Sequence, residues 1–564
     1  MSFRLWLVLI LLGFTALPPA VAQPSFFEVT PAADPYFSNP ASEDFWVNAV
    51  APADVDGDGD LDLAVLGFYV VYNQSAEDRL VLLLNQGPGA TGAWTFAPQQ
   101  VPLGDVFAGG SDLAWGDYDG DGDHDLAVGS EGLTVLYRND GGSLTALPNL
   151  FPGYFEDSDY DGSYDLRSLT WADADNDGDL DLLIPSAFDD FAGEYSTVLM
   201  RNDGPDGAGG WVFNDAAAGF AATFNAQSAW ADDDGDGDLD LLLVDVDPFF
   251  GEGFVRRYEN AAGSFTGTDL LPIRVEYGLA DWGDYDADGD HDVLVAGTIE
   301  EADGTFRTVL RVYRSDAGVL TPMDIPGGPD GGWLDIHAAT WADYDSDGDV
   351  DLLATGSYIG PQEIEGRSTV YANNGGVLSD VGVELPAPIG SVGRGGAFTW
   401  LDIDGDEDLD YLVAGAYYVP AGNGLVEARM HLYRNDVTAA NAAPAPPAGL
   451  TATTRVGGAM VEWTGATDDS TPALAITYDL EVRRVGGGGA SAERLPEPGG
   501  VSAATRWPLN GLLPGTYSWT VRAVDSSFSD SAPAGGNFTV EAAEEIFSSS
   551  FETGDTQGWI VGPP

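Results

Sequence analysis

The sequence contains no cysteine. Disulfide frameworks, thiolate catalysis and cysteine-ligated zinc or iron–sulfur sites are excluded with it. There is no lysine either, since all 21 basic residues are arginine, so Schiff-base chemistry, P-loops and lysine-rich polyanion patches are excluded too. Histidine occurs only at His124, His291, His337 and His431. Beyond the first residues no run approaches the roughly 18 apolar residues of a spanning helix. Against the 21 arginines stand 92 Asp and Glu, for a formal net charge of −71 and a pI near 4.1. Binding phosphate requires a cationic face, so nucleic acid is excluded as a partner and anionic membrane surfaces are disfavoured. A charge of this sign suits cations.

What is present is ample core material: 44% of the 564 residues are hydrophobic and 11% aromatic. With 74 Gly and 34 Pro, the chain reads as short strands and many turns. Its length implies several domains or one large repeat architecture. Residues 1–22 carry Arg4, an apolar run from Leu5 to Leu17 and the small-x-small end Ala20-Val21-Ala22. This is the pattern of a cleaved secretory signal, the alternative being an N-terminal membrane anchor; the run is too short to cross a core of about 30 Å comfortably. The expectation is a secreted, extracellular or cell-surface-associated protein starting near Gln23, with periplasmic residence left open and no membrane insertion after cleavage.

One nonapeptide recurs seven times, at intervals of 63, 56, 59, 52, 59 and 59 residues. Aspartate stands at positions 1, 3, 5, 7 and 9 of every copy. The first two copies are Asp54, Asp56, Asp58, Asp60, Asp62 and Asp117, Asp119, Asp121, Asp123, Asp125. The third and fourth are Asp173, Asp175, Asp177, Asp179, Asp181 and Asp232, Asp234, Asp236, Asp238, Asp240. Then come Asp284, Asp286, Asp288, Asp290, Asp292 and Asp343, Asp345, Asp347, Asp349, Asp351, and finally Asp402, Asp404, Asp406, Asp408, Asp410. Position 6 is glycine except in the last copy, where it is Glu407, and tryptophan stands two residues before every copy but the first, which has Pro52. Each copy runs into an apolar stretch such as Leu61–Leu66 or Leu239–Val244, which reads as a strand. Between 14 and 25 residues beyond position 9 follows a turn at Asn85, Asn139, Asn202, Asn260, Ser315, Asn373 or Asn435. One unit is therefore strand, acidic loop, strand, strand, Asn turn, strand, which is the size of a β-propeller blade. The seventh unit lacks its fourth strand, and Phe26–Thr30 is expected to supply it and so close the ring.

Alternating carboxylates at 1, 3 and 5, a glycine turn at 6, a carbonyl at 7 and a carboxylate at 9 make an oxygen-only shell for a hard cation, with calcium favoured over magnesium. Without an ion the five carboxylates repel one another. Solvated acidic turns are the bland alternative, which seven copies in one register argue against. An EF-hand needs a carboxylate at position 12, where these copies have Val65, Val128, Ile184, Leu243, Val295, Ala354 and Val413. All 35 aspartates are metal-site candidates, with position 7 expected to act through its backbone and about seven Ca2+ in total. At a Kd of roughly 0.1 mM and roughly 2 mM free calcium each site contributes about 1.8 kcal/mol, so the role is structural.

The loop, followed by segments such as Leu126-Ala127-Val128-Gly129 and Val293-Leu294-Val295-Ala296-Gly297, resembles the FG-GAP/VCBS-type repeat over roughly residues 26–437. That resemblance implies an all-β fold, a seven-bladed integrin-α-like propeller spanning 23–437 with calcium in hairpin loops. It also implies side-chain ligation from positions 1, 3, 5 and 9. Glu407 departs from the pattern, and the seventh site is expected to be the weakest.

Residues 438–448 read as a Pro/Ala linker. Beyond it, 449–541 offers short strands at Leu450–Thr454, Ala459–Thr464, Thr477–Val485, Tyr517–Val524 and Asn537–Val540. With Trp463 and Leu512-Leu513-Pro514-Gly515-Thr516-Tyr517, this part resembles a fibronectin type III sandwich, a spacer or binding module. Residues 542–564 form a tail of no assigned role. No catalytic residue emerges: His124 and His291 at position 8 read as outward, and His337 and His431 as packing or surface residues. Arg394 reads as a polar loop residue, the alternative being an anionic-sugar contact at the ring mouth. The favoured function is a secreted calcium-binding scaffold that holds an extracellular protein or glycan. The alternatives are a carbohydrate-active propeller enzyme such as a polysaccharide lyase, or a purely structural surface protein.

Overall fold

The computed structural model describes residues 26–31, 43–71, 77–90, 92–103, 112–130, 133–147, 150, 169–189, 194–207, 210–221, 223, 227–246, 253–300, 304–316, 318–325, 333–359, 364–386, 398–406, 408–418, 426–436, 441–485 and 503–541. Among them every regular element is a β-strand, and no helix is long and apolar enough to cross a membrane.

Up to residue 436 the strands form antiparallel meanders in chain order. The first comprises Glu43–Ala53, Asp62–Val71, Glu77–Pro88 and Trp94–Val101. The second comprises Asp112–Gly116, Asp125–Ser130, Leu133–Asn139 and Leu144–Ala146, and the third Thr170–Ala172, Asp181–Asp189, Glu194–Pro205 and Trp211–Asp215. The fourth opens with Ser228–Ala231, Asp240–Val246 and Gly253–Ala261; the fifth ends with Asp292–Glu300, Phe306–Asp316 and Val319–Asp324. These two share the 20-residue strand Ser264–Gly283, which pairs with Gly253–Ala261 over its first part and with Asp292–Glu300 over its last. The sixth is Trp333–Ala342, Asp351–Ile359, Ile364–Ala372 and Ser379–Pro386. The seventh has Phe398–Leu401, Asp410–Tyr418 and Val426–Arg434, and its outer strand is Phe27–Glu28 from the other end of the chain, in register Phe27 to Arg434 and Glu28 to Tyr433. The expected closure is therefore observed.

The second strand of each meander reads as an unbroken apolar run because it is covered on both faces. Leu63–Leu66, Leu241–Val244 and Val293–Ala296 are all at most 1% exposed. Seven apolar clusters join neighbours pairwise, typically the position-2 residue of one loop with the tryptophan of the next meander. Val55 clusters with Trp115, Ala174 with Trp230, Tyr285 with Trp341, and Tyr344 with Trp400. A cluster holding Leu63, Ile403 and Leu412 joins the seventh meander to the first. A ring of meanders each packed on the next is the β-propeller architecture.

Two three-stranded sheets follow, Ala448–Arg455, Gly458–Thr464, Arg506–Leu509 and Thr477–Arg484, Gly515–Val524, Ala534–Val540. They bury Trp463, Trp507, Trp519 and Phe538 between them, and Tyr517 Oη donates to Leu513 O at 2.9 Å. The strand Arg506–Leu509 was not anticipated from the sequence. This C-terminal module stands on the end of the ring that carries the acidic loops. Ser526 O accepts from Asp343 N at 3.2 Å, Ser526 Oγ donates to Asp343 Oδ2 at 2.8 Å, and Asn510 N donates to Asn176 O. A Cβ at Gly122, Gly237, Gly289 or Gly348, all at position 6, would meet Arg483, Pro508, Leu474 or Ser470 of that module.

Candidate metal centres

Each acidic loop is curled by its own first aspartate. In the first loop Asp54 Oδ1 accepts the N–H of Gly57 at 2.9 Å and of Asp58 at 3.1 Å, and Oδ2 that of Gly59 at 3.0 Å. The same bonds recur from Asp117, Asp173, Asp284 and Asp343 to positions 5 and 6. The curl needs two residues at positive φ. Position 6 glycines lie at 91–98°, and position 4 is also left-handed, held by Gly57, Gly120, Gly235 and Gly405 but also by Asn176, Ala287 and Ser346. The requirement at position 4 was missed in the sequence, although four of its seven residues are glycine. Curling brings carboxylate oxygens of positions 1, 3 and 5 within 4.8 Å of one another in the loops of Asp54, Asp173, Asp232 and Asp284, and those of Asp117, Asp119 and Asp125 in the second.

Positions 7 and 9 do something else. Position 5 accepts the N–H of position 7, and the position-7 carboxylate reaches the Asn turn: Asp123, Asp238 and Asp349 Oδ2 accept from Gly141, Ala262 and Gly375 at 2.7–2.8 Å. Position 9 is buried and ties the loop to that turn, with Oδ1 accepting the N–H of the turn residue in all seven copies, from 2.6 Å at Asn373 to 2.8 Å at Asn139. Its Oδ2 accepts the N–H of position 2 in five copies.

Burial, with neighbouring carboxylates adding to it, raises many of these acids. At position 9 Asp62 moves from 3.8 to about 6, Asp292 to about 8 and Asp410 to about 9, the backbone N–H bonds pulling the other way. At position 3 Asp119 rises to about 6 and Asp345 to about 7, with burial first and Asp121 or Asp347 next. The position-3 oxygens also supply a test of fit. Asp175, Asp286, Asp345 and Asp404 each bury an Oδ1 with no hydrogen-bond partner, as does Asp125 its Oδ2. Buried unpaired carboxylate oxygens beside two further carboxylates suit a hard, oxygen-seeking cation. The loop of Asp232 is different, because Arg257 Nη2 lies 2.9 Å from Asp240 Oδ2 and 3.5 Å from Asp234 Oδ2.

The turn asparagine latches neighbouring meanders together. Nδ2 of Asn139, Asn202, Asn260, Asn373 and Asn435 donates to the position-2 carbonyl of the preceding loop (Val55, Tyr118, Ala174, Tyr285 and Tyr344), and Asn85 donates to Ile403, across the closure. In the fifth meander the turn residue is Ser315, at the end of Phe306–Asp316, whose N–H donates to Asp292 Oδ1 at 2.8 Å. The histidine expectation needs correction. His291 is buried edge-on against Trp282, and His124 is half-buried and lines the ring's cavity. Position 8 is Leu61, Leu180, Leu239, Val350 or Leu409 elsewhere, and that apolar pattern was the signal that the side chain points inward. His431 Nδ1 pairs with Glu28 Oε1 at 2.8 Å, holding the closing strand. The cavity, about 860 Å³, is lined by the first strands of all the meanders, including Trp115, Trp171 and Trp400, and one end meets Ser527, Phe528 and Asp530 of the C-terminal module. Glu407, Arg394, residues 1–22 and 542–564 lie outside the described residues.

Residues 117–184 match the family model of the FG-GAP-like repeat. The matched stretch contains the second and third acidic loops. Among curated proteins nothing matches the chain. Among solved structures, a lectin from Agrocybe aegerita that recognises non-reducing terminal N-acetylglucosamine is 14% identical, covering 70% of this chain and 91% of its own at a TM-score of 0.35. The exotype rhamnogalacturonan lyase YesX is 18% identical over 78% of this chain and 74% of its own, with a TM-score of 0.37. The Dos1 propeller is 10% identical over 80% and 88%, at 0.23.

Proposed function

We propose that the chain is a secreted seven-bladed propeller of the FG-GAP type, stapled by calcium in its acidic loops and followed by a fibronectin type III-like module, and that it binds an extracellular protein or glycan. The observation that carries the cation reading is the set of buried position-3 oxygens without hydrogen-bond partners, each beside the carboxylates of positions 1 and 5. Ions there would relieve a repulsion that burial makes expensive, and would bind only to the curled loop, so binding stabilises the fold. With the C-terminal module standing on the acidic-loop end, the opposite end of the ring is the surface left for a ligand. The test is thermal unfolding in chelator and then across a calcium titration, with the ions counted. A rise of Tm with several ions bound per chain supports the reading; a melt indifferent to calcium overturns it. A glycan array on the calcium-loaded protein then tests ligand binding. Absorbance of unsaturated product on polyuronates separates a binder from a lyase.

A further inference from the structure

The fourth meander breaks the repeat pattern at two matched positions. Position 2 is Asp233, where the other loops have Val55, Tyr118, Ala174, Tyr285, Tyr344 and Ile403. The third residue before the turn is Arg257, where the others have Leu82, Leu136, Leu199, Val312, Val370 and Leu432. The two exchanges meet in space. Arg257 Nε lies 3.0 Å from Asp233 Oδ2, while Nη2 hydrogen-bonds Asp240 Oδ2 at 2.9 Å and stands 3.5 Å from Asp234 Oδ2. The Arg257 side chain is 18% exposed, Asp233 19% and Asp240 1%, so the contacts to positions 2 and 9 are made largely out of water, while Asp234, at 39%, meets the same guanidinium from the solvent side. Elsewhere position-9 Oδ2 typically takes the position-2 N–H; here it takes a cation. Arg314 and Arg434 also stand near a position-3 aspartate, but at 3.9 and 3.8 Å, with their close bonds to Asp316 and Asp436 in the turn.

We infer that the fourth loop carries its own cation: the Arg257 guanidinium bridges positions 3 and 9, and this loop takes no calcium. The planar fork of arginine matches paired carboxylates and never loses its charge. A divalent ion held by Asp234 and Asp240 would have to sit beside that fixed positive charge. The ring therefore mixes ion-stapled loops with one stapled by a guanidinium from its own strand, in the same meander that passes into its neighbour without a break. This rests on the calcium reading of the remaining loops.

The experiment is an ion count by native mass spectrometry of the full mature protein equilibrated with excess calcium. Four forms are compared: wild type, D236N, the double variant D233V/R257L and the triple variant D233V/R257L/D236N. The double variant restores the apolar pair of the first loop, Val55 and Leu82. The expected result is the same count for wild type and D236N, one more ion in the double variant, and return to the wild-type count in the triple. Loss of one ion in D236N overturns the inference while leaving the calcium reading intact. No ions in wild type and double variant alike overturns the calcium reading and the inference with it. Should the double variant fail to fold, as judged by circular dichroism, the comparison of wild type with D236N still decides.

Discussion

Asp351 and Asp347 stand four residues apart in the sixth loop, yet their carboxylates meet different partners. Asp351 accepts the N–H of Asn373 at 2.6 Å and of Tyr344 at 3.1 Å, while Asp347 accepts only that of Asp349 and otherwise faces carboxylates. Asp351→Asn turns an amide against a buried N–H and is expected to cost about 1–3 kcal/mol with or without calcium. Asp347→Asn keeps the bond to Asp349 and removes a like charge. It is expected to be neutral or stabilising in chelator and to cost about 2 kcal/mol in millimolar calcium. Urea midpoints under the two conditions separate them, and equal behaviour would refute the division of roles. Ala287, at φ 55°, holds a position that glycine fills in four loops, and Ala287→Gly is expected to stabilise by about 1 kcal/mol. The raised acids also fix a pH dependence. Asp292 at about 8 and Asp410 at about 9, against 3.8 in the open chain, favour the folded state when protonated. Their contribution is whole below the unfolded value and is lost as pH climbs through the folded one. The metal-free protein should thus resist urea better near about pH 5 than near about pH 8.5, and saturating calcium should flatten or reverse the trend as ions displace protons. A midpoint that rises with pH in chelator would contradict this.

At the scale of the element, the turn asparagines bear on two joints at once. Their backbone closes a hairpin within one meander, and their side chain grips the loop before it, as in Asn139 to Val55 O at 2.9 Å. Asn139→Ala leaves a buried carbonyl without its donor and is expected to cost about 1–3 kcal/mol, measured by urea unfolding. The hairpin half of this was legible, because Asn before Gly-rich sequence is turn chemistry. The latch was not, since its acceptor lies 84 residues away and is a backbone group with no side-chain signature. The strand plan was legible for the reason that makes the ring stable: buried second strands must be apolar on both faces. The closing strand was legible by counting, since only the seventh unit lacked a partner. In the structure Val29 N donates to Leu432 O and accepts, through its carbonyl, from Trp94 N, both at 2.9 Å, so this strand bridges the seventh meander and the first. Removing residues 23–32 should lower Tm, and an unchanged melt would speak against a role in closure.

The whole molecule couples its two parts through the acidic loops. Asp343 binds Ser526 while belonging to a loop read as a cation site, and Phe528, at φ 68°, packs with Tyr344 and Trp400 at the ring's mouth. Phe528→Asp tolerates the backbone geometry but removes the apolar contact. It is expected to raise the rate of protease cleavage within residues 438–448 several-fold with little change in the ring's own melt. Chelator should accelerate the same cleavage in the wild type. If both treatments leave the linker's cleavage rate unchanged, the module does not depend on this contact.

Closure by Phe27–Glu28 also sets a schedule. At about 5–20 residues per second a growing chain makes this segment on the order of 20–80 s before Val426–Arg434 exists to receive it. Throughout that interval the first strand waits, and the seventh meander, once made, offers an open edge that any copy of Phe26-Phe27-Glu28-Val29 fits equally well. Local concentration alone favours the chain's own segment over a neighbour's. Crowded synthesis therefore invites two rings to exchange first strands, giving a dimer whose every contact is native.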